Sequence, residues 1–159
     1  MRLKTSRLKL VLKTPEEVRA AIETMDAADK AQLSGDWLER LRASTSPDPW
    51  VHGFSMVQSD TGIAVGQCGF KGPPDSDGVV EIAYGVASDQ ERKGYATEAA
   101  RALLAYAFSI DKVKLVRAHT LPASNASKRV LAKCGFQYIG EINDPEDGLV
   151  CRFETTRPL

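Results

Sequence analysis

Between Gln90 and Ile110 a glycine-bearing turn runs directly into a long amphipathic helix, and this stretch limits the fold more than any other. From Thr97 on, Ala99, Ala100, Leu103, Leu104, Ala107 and Phe108 recur at the i, i+3, i+4 spacing of one buried helical face. Thr97 therefore lies near a helix start. Ahead of it, Arg92-Lys93-Gly94-Tyr95-Ala96 supplies a glycine that tolerates positive φ, two cations and the free N–H groups of a helix N-terminus. Together with the positive end of the helix dipole, these groups favour a polyanion such as phosphate. Upstream, Val79 to Val86 reads as a strand, so the order is strand, phosphate-type loop, helix. The loop has neither the G-x-x-x-x-G-K-[ST] of a Walker A site nor the G-x-G-x-x-G of a dinucleotide site.

The flanking chain predicts what this unit packs against. Leu8, Leu10 and Leu12 alternate with Lys9, Val11 and Lys13, the period-two pattern of a strand with one face on the core. Thr14-Pro15-Glu16-Glu17 reads as a capping box, and Val18, Ala21, Ile22 and Met25 line the helix that follows; Trp37, Leu38 and Leu41 line a second, short helix after Ser34-Gly35. Strands are expected over 50–58 and 63–70, with an Asp- and Gly-rich turn between them. Lys71 to Gly78, with two prolines, is a turn into the Glu81 strand. A strand over 114–120, a short helix through Lys133 stopped by Gly135, and a hairpin of 136–143 with 149–155 complete the chain. This order predicts one α/β domain over residues 1–159, with a mixed, mostly antiparallel sheet of about seven strands and helices on both faces.

Composition narrows the partners. The 21 Lys and Arg balance 21 Asp and Glu, so no global field draws the protein to nucleic acid or an anionic membrane. No apolar run approaches the ~18 residues of a membrane span, and no signal-peptide core opens the chain, so the expected location is cytoplasmic. Cys68, Cys134 and Cys151 form no C-x-x-C pair, which argues against a disulfide framework or a metal site. A reactive cysteine nucleophile is the remaining reading, and the sequence pairs none of the three with a base.

Several segments together resemble the GCN5-related N-acetyltransferases (GNAT), whose phosphate loop is usually [QR]-x-x-G-x-[GA]. Glu91-Arg92-Lys93-Gly94-Tyr95-Ala96 fits all but the first position. More narrowly, the chain is similar to the branch that acetylates ribosomal-protein N-termini (RimJ/RimL-like), whose members show T-x-R-L-x-L, E-I-x-Y, G-Y-A-T-E-A and N-x-A-S…L-x-K-x-G-F. The matching segments are Thr5 to Leu10, Glu81 to Tyr84, Gly94 to Ala99, and Ala126-Ser127 with Leu131 to Phe136. Glu91 departs from Gln or Arg, and Ser124 stands at the asparagine position, with Asn125 next.

The resemblance implies a sheet whose two central strands splay apart to admit the pantetheine of acetyl-CoA. On this reading Arg92, Lys93, Gly94, Tyr95, Ala96 and Thr97 hold the pyrophosphate, Tyr84, Gly85 and Val86 meet the pantetheine and acetyl ends, and Ser124 or Asn125 contacts the pantetheine arm. A backbone N–H near Val86 is the candidate oxyanion donor. Glu81, the one carboxylate in an apolar strand, is the candidate general base, its pKa expected to rise on burial; its alternative is an ion pair or a solvated edge charge. His119 is the second candidate base, while His52 has no supporting motif. Ser127 is either the donor to the leaving sulfur or a helix cap. The expected reaction is direct acetyl transfer from acetyl-CoA to a primary amine, without metal, by a monomer or homodimer. Glu141, Asp144, Glu146 and Asp147 around the closing hairpin suggest a cationic acceptor, although such a turn also uses these residues for local reasons. The alternatives are a catalytically weak acyl-CoA-binding module of the same fold and an unrelated phosphate-binding α/β domain.

Overall fold

A computed structural model describes residues 1–145 and 147–157. Its eight strands are β1 (Arg2–Lys4), β2 (Leu8–Leu12), β3 (Phe54–Gln58), β4 (Ala64–Phe70), β5 (Val79–Val86), β6 (Leu115–Thr120), β7 (Gln137–Asp144) and β8 (Gly148–Thr156). They form one sheet in the order β1-β2-β3-β4-β5-β6-β8-β7. Only β5 and β6 pair in parallel. The helices are α1 (Pro15–Glu23), α2 (Ala27–Ala31), α3 (Gly35–Ala43), α4 (Tyr95–Phe108) and α5 (Asn125–Lys133). Among the described residues no helix is long and apolar enough to cross a membrane.

The period-two pattern sorts the sheet into two faces. Leu8, Leu10, Phe54, Met56, Val80 and Ile82 are buried together with Tyr95, Ala99, Ala100, Leu103 and Ala107 of α4. The inner face is thus the core, with α4 across it. On β5 the alternate residues Glu81, Ala83 and Gly85 point to the opposite face, in register with Lys71's neighbour strand positions Gly69 and Gln67. That outer face is bordered by α1 and α3, whose Val18, Ile22 and Trp37 line a cavity over it together with Met25, which lies past the end of α1 and not on its face as expected. Helices therefore lie on both faces.

The central parallel pair is short. Its ladder runs from Val79 opposite Leu115 to Ile82 opposite Ala118 and stops there, although β5 continues to Val86 and β6 to Thr120. Residues 83–86 stay paired to β4 on their other side. This is the expected splay, with one backbone edge of β5 left open.

Apart from shifts of one residue at strand ends, two elements are added to the sequence reading and two starts move. β1 makes an eighth strand, three residues long and too short to show a period. α2 is an additional helix, capped by the Asp26 side chain on the Asp29 N–H at 2.8 Å. α4 begins at Tyr95, two residues before Thr97. β3 begins at Phe54 because Trp50 to Gly53 form a turn: the Val51 and His52 N–H groups donate to the Asp48 carbonyl, and Gly53 has φ of 72°. The aromatic Trp50 is packed on Phe70 and Tyr106, not in a strand.

Candidate active site

Two residues with positive φ shape the loop before α4. Arg92 (64°) and Gly94 (84°) turn the chain so that Gly94 is the N-cap, with no side chain capping the helix. The first intrahelical bond is donated by Glu98 to the Gly94 carbonyl, so the N–H groups of Tyr95, Ala96 and Thr97 have no partner within the helix. These are the donors an anion would use. Tyr95 contributes only its backbone: its ring is buried, and its hydroxyl accepts from Gln58 Nε2 at 3.0 Å. Arg92 and Lys93 are exposed beside the loop, and Lys93 Nζ donates to Gln90 Oε1 at 3.0 Å.

The N-terminal segment locks this loop in place. Thr5 Oγ1 donates to Glu98 Oε1 at 2.6 Å, Arg7 Nε donates to Glu98 Oε2 at 2.5 Å, and Arg7 Nη2 donates to the Lys93 carbonyl at 2.5 Å. The Arg7 guanidinium also lies 4.7 Å from the Tyr95 ring centroid. Burial pushes the Glu98 carboxyl up, but the hydrogen bonds from Thr5 and Arg7 outweigh it and hold the group below its ordinary value. Thr5 and Arg7 were legible as motif letters. Their task, fastening the loop from 86 or more residues away, was not.

At the splay, Tyr84 lies on the inner face and its hydroxyl donates to the Ser127 carbonyl at 3.4 Å. Burial pushes the Tyr84 phenol up to about 12. Gly85 opens to the outer face, where an added Cβ would meet nothing within 4 Å. Ser124 occupies the N-cap of α5 without capping it by its side chain, Asn125 is the first helical residue, and Ser127 lies inside the first turn. Ser127 is therefore not the cap, which removes one of its two readings. The sequence reading also missed Thr120, whose buried hydroxyl at the end of β6 finds no hydrogen-bond partner among the described residues.

On the outer face a cavity of about 720 Å³ lies between the sheet and α1 to α3. Glu81 opens into it, but not as an isolated buried carboxylate. Lys71 Nζ lies 3.2 Å from Glu81 Oε2 and 3.3 Å from Asp147 Oδ2, so one ammonium bridges two carboxylates. Their charges outweigh the effect of burial and raise the Lys71 pKa. The ion-pair alternative for Glu81 is thus present in the structure, and the expectation of an unpaired group raised by burial loses its premise. His119 Nδ1 also lies 3.0 Å from Glu81 Oε2, while Arg152 Nε donates to His119 Nε2 at 3.1 Å. An arginine can only donate, so Nε2 accepts and the proton sits on Nδ1, facing Glu81. With its lone pair taken, His119 is placed to orient Glu81, and its own candidacy as base is weakened. His52 is structural: Nδ1 accepts from the Asp48 N–H at 2.8 Å, and Nε2 bonds Ser44 Oγ at 2.9 Å.

Of the acidic hairpin, Asp147 pairs with Lys71 and its N–H donates to Asp144 Oδ2 at 2.9 Å. Glu141 is exposed on β7, and Glu146 lies outside the described residues. Cys68 is buried beside the cavity, and burial pushes its thiol up to about 12, which leaves it protonated at neutral pH and unsuited to nucleophilic work.

Residues 6–137 match the family model described as an acetyltransferase (GNAT) domain. Among curated proteins, the chain is 35% identical over 89 residues to YjdG, an uncharacterised N-acetyltransferase of Bacillus subtilis, an alignment covering 56% of this chain and 51% of the relative. The chain spans about half the length of the curated relatives it matches. Among solved structures, a Vibrio cholerae protein provisionally named a ribosomal-protein-serine acetyltransferase superposes with a TM-score of 0.70 at 18% identity, covering 99% of this chain and 98% of the other. AAC(6')-Ib in complex with ribostamycin and coenzyme A superposes with a TM-score of 0.65 at 20% identity, covering 96% and 94%. At these identities the structural likeness speaks for the fold.

Proposed function

This chain belongs to the GNAT acetyltransferase family, and from that premise we propose that it transfers an acetyl group from acetyl-CoA to a primary amine by direct attack in a ternary complex. One observation carries the reading. β5 meets both halves of the reaction at once, with the open backbone edge of 83–86 on the splay and Glu81 on the outer cavity. Acetyl-CoA is the co-substrate. Its pyrophosphate takes the N–H groups of Tyr95, Ala96 and Thr97, with Arg92, Lys93 and Gly94 completing the loop, and its pantetheine runs along Tyr84, Gly85 and Val86 as an added strand would. Ser124 and Asn125, at the start of α5, face its far side.

In the reaction the amine loses a proton to Glu81, directly or through one water, and its lone pair attacks the acetyl carbonyl carbon. The N–H near Val86 stabilises the oxyanion of the tetrahedral intermediate. The C–S bond then breaks as the nitrogen sheds its extra proton; the leaving thiolate accepts a hydrogen bond from Ser127 and takes up that proton. His119 and Lys71 hold the Glu81 carboxylate toward the cavity, where the amine must meet it. The loop clamp of Thr5 and Arg7, set in the T-x-R-L motif, supports placement in the branch acting on ribosomal-protein or other peptide N-termini.

The test is thiol release from acetyl-CoA on adding a broad panel of primary amines, with product mass recording a gain of one acetyl group. Release coupled to an acetylated amine is expected. A protein that binds acetyl-CoA and yields no acetylated amine across the panel would instead be an acyl-CoA-binding module.

A further inference from the structure

The outer cavity is electrically two-ended. One end holds Lys71 between the carboxylates of Glu81 and Asp147; the other holds Lys13, just beyond β2. Resting on the acetyl-transfer reading above, we propose that the acceptor is an amine that also carries an acidic group across an apolar segment, with Lys13 binding the acid.

Lys13 makes no ion pair with any described residue; its Nζ donates to the neutral Gln67 Oε1. Burial draws its ammonium below the ordinary lysine value, against smaller opposing effects of Cys68 and Glu17. Neither of those forms an ion pair with it. The Cys68 thiol stays protonated, and the Glu17 carboxylate, turned to the capping box with Thr14 at the head of α1, acts on Lys13 only from a distance. A half-buried cation with no direct ion-pair partner is costly, and an incoming carboxylate or phosphate relieves that cost.

Gln67 on β4 and Lys71, one residue past its end and still paired to the Glu81 carbonyl, sit four residues apart on the same face, roughly 13 Å by strand geometry. Between them the floor is Ala83, flanked by the Gly53 backbone that covers Gly69, and the wall is Ile22, Met25 and Trp37. Such a trough holds an extended apolar segment and discriminates against a polar one. At the far end one lysine lies between two carboxylates, Glu81 and Asp147, so that end receives the ammonium.

Matched probes test this: 5-aminopentanoate and 8-aminooctanoate against their primary amides, with 1,8-diaminooctane as the dication. In the wild-type protein, kcat/KM for the longer acid should exceed that for its amide by about tenfold or more, chiefly through KM. Lys13→Met should collapse the ratio toward one, and Lys13→Glu should shift preference to the diamine, both at unchanged acetyl-CoA affinity. A wild-type ratio near one, or a ratio that survives Lys13→Met, overturns the proposal. If none of the probes is acetylated, calorimetric titration of the same pairs into the CoA-saturated protein decides, and equal binding of acid and amide overturns it there. The acetyl-transfer reading fails separately, through loss of acetyl-CoA binding or silence across the wider amine panel.

Discussion

At the N-terminus of α4 the groups offered to a ligand are backbone N–H donors, set by two positive φ angles within three residues. Across the sheet, the outer cavity offers side chains drawn from α1, α3, β4, β5 and the β7–β8 turn, with Glu81, Lys71 and Asp147 placed by one another. The first region is preorganised by local chain geometry and fastened once, by Arg7 and Thr5. The second depends on a balance of opposite charges, with Lys71 between Glu81 and Asp147. A backbone site tolerates change in its side chains but not in its φ angles. A side-chain site is retuned by single substitutions while the fold stays put, which suits a family whose co-substrate is common and whose acceptors vary.

The sharpest attempt to break this contrast is Gly94→Asp. At φ of 84° a β-carbon is strained, it would lie 3.0 Å from Arg7 Nη2, and its carboxylate would face the phosphates. Acetyl-CoA affinity should fall at least 100-fold, by calorimetry on protein whose circular dichroism is unchanged. Gly94→Ala should lose less, since it keeps the strain and omits the charge. Unchanged affinity in a folded Gly94→Asp protein would remove the loop from the binding site.

Glu81→Gln probes the other region. It keeps the size of the side chain and removes the proton acceptor, so kcat should drop about 10²–10⁴-fold with acetyl-CoA affinity intact. Ser127→Ala should cost less, about tenfold in kcat, because backbone donors and solvent share its work. Should Glu81→Gln keep full kcat at every pH, the base is water, since the His119 lone pair is already held by Arg152.

The same contrast explains what the sequence disclosed. α4 was readable because its buried positions repeat within one helix, and Gly94 because a turn before a helix needs its φ. The splay came with the family resemblance, as no residue pattern marks where a ladder stops. Glu81 was found as an odd charge in an apolar strand, yet its ion-pair partner was not: Lys71 sits in a stretch that reads as a Pro- and Gly-rich turn, and the second carboxylate on that lysine, Asp147, lies 76 residues further on. Arg152 carried no signal at all, being one polar residue in an alternating strand. Its role follows only from the register that sets it opposite His119. Trp50 misled for the opposite reason, since its aromatic character suits a strand and here fills the core beside one.

The smallest predicted effect concerns the fastening of the loop, where charge enters the backbone-built region. Glu98 is held below its ordinary value of 4.5, so the folded state favours the ionised carboxylate more than the unfolded chain does. The stabilisation is therefore fully present above the unfolded pKa, near 4.3, and is lost as pH falls through the lower folded value. Glu98→Gln keeps the shape but weakens acceptance from Arg7 and Thr5. At pH 7 it should lower Tm by roughly 2–4 °C, the shift that about 1 kcal/mol produces in a chain of this size. The gap between wild type and variant should hold from pH 7 down to about 5 and close as pH falls below 4. Acetyl-CoA affinity at pH 7 should weaken only a few fold, because Gly94 and Arg92 still set the φ angles that aim the donors. A gap that stays constant down to pH 3 would mean that Glu98 serves by packing alone. A loss of affinity as large as that of Gly94→Asp would mean that the loop is held mainly by its charged clamp, and that the two regions differ less than their construction suggests.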